Sequence, residues 1–209
     1  MKITVNHGKQ NKIHVLCDDE YMFTVDAEYW FSSPYHGINI IEDEEELAAF
    51  FEAVGSRCAF IAALRLLSYR DHSEKELINK LCMKGHKRNY AENACESLKK
   101  YGYINDERYA QSLAESLIER KGMSIRGVKT ELYHKGISRE IADNIVESLD
   151  NDPVLRIIDL INTKYSRCLS DEKGMRRMFS SLQRLGYRWS DIKSALRQIE
   201  IETEDFGDV

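Results

Sequence analysis

Proline is nearly missing from this chain. Among 209 residues there are two, Pro34 and Pro153, so little in the sequence interrupts helices and the two prolines themselves mark boundaries. Cysteine is also sparse. The five present (Cys17, Cys58, Cys82, Cys95, Cys168) are odd in number and include no Cys-x-x-Cys pair. That argues against a disulfide framework and for free thiols in a reducing cytoplasm. The longest apolar run, Phe60 to Leu67, is cut by Arg65 and is too short to cross a bilayer. Met1-Lys2-Ile3 leads into alternating residues rather than an apolar signal segment. A cytoplasmic protein with no membrane partner is therefore expected.

Enzyme signatures are lacking as well. The six histidines show no His-Glu-x-x-His spacing and no cysteine partners at zinc-finger distances. There is no phosphate-binding Gly-x-x-x-x-Gly-Lys loop and no Gly-x-Ser-x-Gly elbow. Acidic runs such as Asp18-Asp19 and Glu44-Glu45-Glu46 sit where a turn and a helix start are expected, and read as solvated. No catalytic residue, metal site or cofactor is expected; the chain reads as a binding protein.

What the chain has is a repeat. Leu77-x-x-x-Leu81-x-x-Lys84-Gly85 returns as Val128-x-x-x-Leu132-x-x-Lys135-Gly136 and as Met178-x-x-x-Leu182-x-x-Leu185-Gly186. The same offsets give the triplets Ala91/Ala142/Ile192, Ala94/Ile145/Ala195, Cys95/Val146/Leu196 and Leu98/Leu149/Ile199. Positions i, i+3, i+4 and i+7 share one face of a helix. The expected fold is mainly α: three tandem three-helix modules in an elongated, curved array, behind a small N-terminal β-hairpin/α extension.

Boundaries follow from caps and turns. Residues 1–57 hold β-prone runs (Ile3–Val5, and a hairpin over Ile13–Val25), an aromatic cluster Tyr29-Trp30-Phe31 read as packing, and an acidic helix opening at Asp43. Module 1 covers 58–104, with helices from Cys58 through Tyr69, from a Ser73-x-x-Glu76 capping box to Gly85, and over 89–101. Module 2 covers 105–152, with helices over 106–120, 124–134 and 138–149. Module 3 covers 153–200, opened by Asp152-Pro153, with helices over 153–168, 171–184 and 190–200. Residues 201–209 form an acidic tail, read as solubilising and disordered.

Charge is segregated. The net of −5 combines 4 basic and 11 acidic residues in 1–57 with 9 and 5 in 58–104, 7 and 10 in 105–152, 10 and 5 in 153–200, and none and 4 in 201–209. An acidic total argues against coating DNA by charge alone, yet leaves basic patches on modules 1 and 3. The cations are periodic. Lys75, Arg126 and Arg176 share one position early in each second helix; Lys87, Ser138 and Arg188 share another, with Arg88 and Arg139 beside it. Arg177 and Arg184 enrich module 3. These nine cations are the candidate partner-binding residues, since cations at one module position would project on one side of a row and suit a repetitive partner. Asp106 reads as an N-cap and Arg108 as a first-turn surface residue or inter-module ion pair. Tyr69 and Tyr109 read as packing between modules.

Three stretches carry a family resemblance: Ala63-Leu64-Arg65-Leu66-Leu67-Ser68-Tyr69-Arg70-Asp71-His72-Ser73-Glu74-Lys75-Glu76-Leu77, Leu98-Lys99-Lys100-Tyr101-Gly102-Tyr103-Ile104-Asn105-Asp106-Glu107-Arg108-Tyr109-Ala110, and Glu131-Leu132-Tyr133-His134-Lys135-Gly136-Ile137. In this order they resemble bacterial RecX regulatory proteins, over about 58–150 directly and over 153–200 through the repeat. The chain itself is expected to be a monomer. The resemblance implies three tandem three-helix modules and a partner, the RecA recombinase filament on single-stranded DNA. It further implies binding along the filament groove and restraint of ATPase, strand exchange and co-protease activities, with roles in homologous recombination, DNA repair and the SOS response. Leu185 departs from the pattern set by Lys84 and Lys135, so that position is not a uniform contact. A direct single-stranded nucleic-acid binder and a helical scaffold remain open as alternatives.

Overall fold

The computed structural model describes residues 1–149 and 152–199; the tail at 201–209 lies outside the described residues. The chain divides into two compact units, Met1–Asn105 and a second beginning at Asp106.

The first unit opens with three antiparallel strands, β1 (Ile3–His7), β2 (Lys12–Cys17) and β3 (Glu20–Asp26), in that order across the sheet. The expected hairpin is β2–β3, and β1 extends it, with Ile3 opposite Cys17 and His7 opposite Ile13. The β2–β3 turn is Asp18-Asp19, both at positive φ (49° and 67°), which matches the right-handed twist of the flanking strands. Along β2, residues Ile13, Val15 and Cys17 alternate inward. They meet Val25, Trp30, Ile41, Phe50 and Val54 in one core. Trp30 of helix α1 (Ala27–Ser32) supplies the packing expected of the aromatic cluster, whereas its neighbour Phe31 is half exposed.

Helix α2 (Glu44–Leu67) corrects the expected boundary at 57/58. The acidic helix and the first helix of module 1 are one helix: no proline stands between them, and Gly55 stays helical because the Tyr90 ring packs where its Cβ would be, 2.4 Å away. Its start is capped by Asp43, whose carboxylate accepts the Glu46 N–H at 2.8 Å. By length and composition alone α2 is apolar enough to cross a membrane, which the short run read from the sequence missed. Here it is the element that joins the core of the sheet to that of the following helices. Helices α3 (Glu74–Met83) and α4 (Arg88–Lys100) complete the first triplet.

The second unit holds two triplets: α5 (Asp106–Lys121), α6 (Ile125–His134) and α7 (Arg139–Glu147), then α8 (Pro153–Leu160), α9 (Glu172–Arg184) and α10 (Trp189–Gln198). Asp106, expected as a cap, is the first residue of α5, a one-residue shift of the kind common at helix ends. The helix expected over 153–168 is regular only to Leu160; a π-helical turn (Ile161–Tyr165) and a 3₁₀ turn (Ser166–Ser170) follow.

The repeated glycine is one motif built three times. Gly85, Gly136 and Gly186 have φ of +93°, +85° and +92°. At each, the glycine N–H donates to the third carbonyl back and the next N–H donates to the fifth. The second set runs His86 to Leu81 at 3.2 Å, Ile137 to Leu132 at 3.1 Å and Tyr187 to Leu182 at 3.1 Å. This is the helix-ending turn that needs a left-handed residue. It explains why leucine, glycine and their spacing recur together: Leu81, Leu132 and Leu182 are fully buried while their carbonyls close the turn.

Within the second unit the turn at Leu185-Gly186 also docks the last triplet on the one before it. The Leu185 carbonyl accepts the Ser124 N–H at 2.9 Å and the Ser124 hydroxyl at 3.2 Å, while the Ser124 Oγ caps α6 through the Gly127 N–H. The Leu185 side chain packs on the core of the middle triplet. Tyr187 donates from its hydroxyl to the Gly122 carbonyl at 3.0 Å. Leu185 thus departs from Lys84 and Lys135 because its half-buried side chain packs at a junction.

A Cβ on Gly127 would stand 2.4 Å from the Leu185 carbonyl oxygen, so the junction would have to open. Gly127→Ala is expected to destabilise the protein by about 1–3 kcal/mol and Tyr187→Phe by about 1 kcal/mol, both read by urea denaturation. Wild-type stability in Gly127→Ala would show that these triplets do not approach so closely.

Candidate functional site

Cations that hold the fold together can be separated from those that do not. Arg57 on α2 grips Asp26 with two hydrogen bonds, Nε to Oδ2 at 2.8 Å and Nη2 to Oδ1 at 3.0 Å. Its guanidinium also lies 5.2 Å from the Tyr29 ring centroid and 5.3 Å from that of Phe60. Arg156 donates to the Ile118 carbonyl at 2.6 Å. Lys129 pairs with Asp143 at 2.6 Å, joining α6 to α7, and Arg70 and His72 share Glu76 at the start of α3. These groups are structural.

All nine candidate cations are exposed. Lys75 and Arg126 stand at the second position of α3 and α6 and make no ion pair among the described residues. Arg176 is displaced from the first turn, because α9 starts one turn earlier relative to its glycine; it pairs with Glu172. That pair is solvent-exposed, where such contacts contribute little. Arg177 and Arg184 are seven residues apart and share a face of α9. Lys173, four residues before Arg177, extends that face and escaped the sequence reading because it has no counterpart in the other repeats.

The second set occupies helix N-termini. Ser138 caps α7 by accepting the Ile141 N–H at 3.3 Å, with Arg139 next to it. Lys87 and Arg188 hold the same cap position on α4 and α10 but make no capping bond. Arg88 follows Lys87, paired at 3.6 Å with Glu92. A cation at the positive end of a helix opposes the helix dipole, and an uncapped N-terminus forgoes about 1 kcal/mol. Helix capping and the dipole therefore do not account for Lys87, Arg88 or Arg188.

The structure assigns three of the nine (Lys75, Lys87, Arg88) to the first unit and six to the second. The sequence reading also missed exposed apolar groups. Tyr69, expected to pack between modules, is 87% exposed, as is Met83; Tyr109 is buried and packs within its own triplet. None of the five cysteines forms a disulfide, and Cys17 and Cys95 are buried. Burial pushes the Cys58 thiol up to about 11, although the thiol also donates to the Thr24 carbonyl at 3.3 Å, so it is protonated and unreactive near neutral pH. Among the described residues no three of His, Cys, Asp and Glu lie close enough to hold a metal ion.

Two family models match the first two triplets: RecX, first three-helix domain, over residues 59–98, and RecX, second three-helix domain, over 105–144. The regulatory protein RecX of Trichlorobacter lovleyi is 32% identical over 134 residues, spanning 62% of this chain and 87% of that protein. The chain belongs to the RecX family. The regulatory protein RecX of Clostridium tetani is 26% identical over 205 residues, 95% of this chain and 93% of its own length. RecX relatives therefore extend across the N-terminal sheet as well as the helices. A crystal structure of regulatory protein RecX has the same fold, with a TM-score of 0.63 at 20% identity over 94% of this chain and 98% of that one. RecX from Lactobacillus salivarius aligns with a TM-score of 0.57 at 22% identity, over 71% and 98% of the two chains.

Burial pushes the Asp26 carboxyl up, but the Arg57 and Tyr29 hydrogen bonds and the Arg57 charge outweigh it and hold it below its usual value. A depressed carboxylate stabilises the fold above its unfolded pKa, and the contribution is lost as pH falls through the folded one. The first unit is expected to lose stability below about pH 4. Arg57→Ala is expected to cost about 1–2 kcal/mol at neutral pH and to remove that part of the acid sensitivity. A variant with the wild-type pH profile in thermal melts would contradict the assignment.

Proposed function

We propose that this RecX-family chain is a non-enzymatic regulator that binds the RecA recombinase filament on single-stranded DNA, along its groove. Binding there restrains the ATPase, strand exchange and co-protease activities of the filament. Family membership supports a regulatory role. The observation that carries the finer reading is the set of exposed cations repeated from triplet to triplet, of which Lys87, Arg88 and Arg188 sit where they oppose the helix dipole. Residues that break the capping rule at the start of a helix are candidates for a functional position. A polymer of identical subunits offers the same anionic or polar contact again and again, and several weak contacts made together multiply into avidity. Lys75, Arg126, Arg139, Arg176, Arg177 and Arg184 complete the proposed contact set, with Lys173 added from the face of α9.

The test is the DNA-dependent ATPase of the cognate recombinase, with single-stranded DNA saturated by recombinase, titrated with this protein at fixed salt. Saturable inhibition near or below stoichiometry is expected. Arg126→Glu combined with Arg176→Glu should raise the half-inhibitory concentration at least about tenfold, as loss of about 1.4 kcal/mol would, with an unchanged circular dichroism spectrum. No inhibition by the wild type would sink the reading; wild-type inhibition by the folded double variant would remove these two residues from the contact.

A further inference from the structure

An open cleft of about 850 Å³ separates the N-terminal sheet from the turn that ends α3, a size within the range of about 300–1,000 Å³ typical of ligand clefts. One wall is β3 with the turn at Gln10-Asn11, the other is the turn Lys84–Lys87, and α2 runs between them from Phe51 to Arg65.

Cations outnumber acids in the lining of the cleft. Residues 1–57 hold 11 acidic side chains, yet Asp26 alone of them lines the cleft, and Arg57 neutralises it. Against it stand Lys12, Arg65, Lys84 and Lys87. None of these four makes an ion pair among the described residues; Lys87 rests its Nζ 5.5 Å above the Tyr90 ring. The N-terminus of α4 opens beside Lys87, carries no acidic residue in its first turn and has no capping side chain, so its N–H groups and dipole favour an anion. Burial, then the charge of Lys84, depresses the His86 imidazole, so the positive charge rests on lysine and arginine.

The cleft also offers a ring. Tyr21 on its rim is 63% exposed and is held by its hydroxyl at 2.9 Å from Thr24 Oγ1, with the His14 ring edge-on at 6.2 Å. A large aromatic face kept in water beside flexible cations is the arrangement that binds single strands, with phosphates on the cations and bases stacked on the ring. An acidic peptide would use the cations and leave the ring unemployed.

We propose that this cleft binds single-stranded nucleic acid, with phosphates on Lys12, Arg65, Lys84 and Lys87 and at the α4 N-terminus, and a base stacked on Tyr21. The proposal gives the N-terminal sheet a task of its own and does not depend on the filament reading.

The experiment uses the full chain without recombinase and a fluorescent oligothymidylate, read by anisotropy across a salt series. The wild type should bind with a steep salt dependence. Lys12→Glu with Lys84→Glu should weaken binding at least about tenfold and reduce the log–log salt slope by about 1.4, at about 0.7 per phosphate contact. Tyr21→Ala should weaken binding at least about fivefold with the slope unchanged, as expected for stacking. All three side chains reach the surface, and thermal melts check that the variants fold. No oligothymidylate binding at low salt, wild-type binding by the folded variants, or tight binding of polyglutamate in its place would overturn the proposal. Recombinase ATPase measured on the same samples reads the filament proposal separately. A wild type that inhibits ATPase without binding the oligonucleotide defeats the cleft alone.

Discussion

Each triplet turns on a glycine held at positive φ. With Gly85, Gly136 and Gly186 left-handed, each helix ends in two nested hydrogen bonds, and in the second and third copies the chain re-enters the core one residue later, at Ile137 and Tyr187. Any L side chain there carries a steric penalty of roughly 1–2 kcal/mol. The leucine four residues before each glycine is buried, and its carbonyl is the one the turn closes upon. Helix length, exit direction and core residue are thus bound together at one place. The rest of each triplet, including the N-terminus of its last helix two residues beyond the glycine, is placed by that constraint.

The same turn serves different ends in different copies. At Lys84–Lys87 it is exposed and cationic and borders the cleft under the sheet. At Leu185-Gly186 it is covered, its carbonyl bonded to Ser124 and its side chain packed on the preceding core. One backbone geometry carries a ligand-facing surface in the first case and a junction in the second, and a single lysine-to-leucine exchange accompanies the difference.

Cations at α4 and α10 illustrate a conflict between local stability and use. Serine caps α3, α6 and α7, where it satisfies an N–H that would otherwise be orphaned. Lysine and arginine at the equivalent cap positions of α4 and α10 give up that bond and place positive charge on positive charge. Arg57, Arg156 and Lys129 show the contrasting case, in which a cation is taken up by a carboxylate or carbonyl of another element.

Repetition made much of this legible in the sequence. Apolar spacing, capping serines and the recurring glycine are local signals, each set by residues within a few positions of one another, and they suffice for the helix triplets, most helix ends and the nine exposed cations. Three kinds of fact were beyond them. The fusion of the acidic helix with the next into α2 carries the chain through Gly55, whose place in the helix is set by the Tyr90 ring packed against it from α4. The break after Leu160 carries neither proline nor glycine, since π-helical and 3₁₀ turns tolerate ordinary residues. The cleft joins Lys12 and Tyr21 to Lys84 and Lys87 across more than sixty positions. The sequence by itself determined the repeat, its turns and which cations stay in water, because those follow from short-range backbone geometry and helical periodicity. Only the tertiary structure decided which charges meet, which are neutralised and where a ring stands open beside them, because those depend on packing between segments distant in the chain.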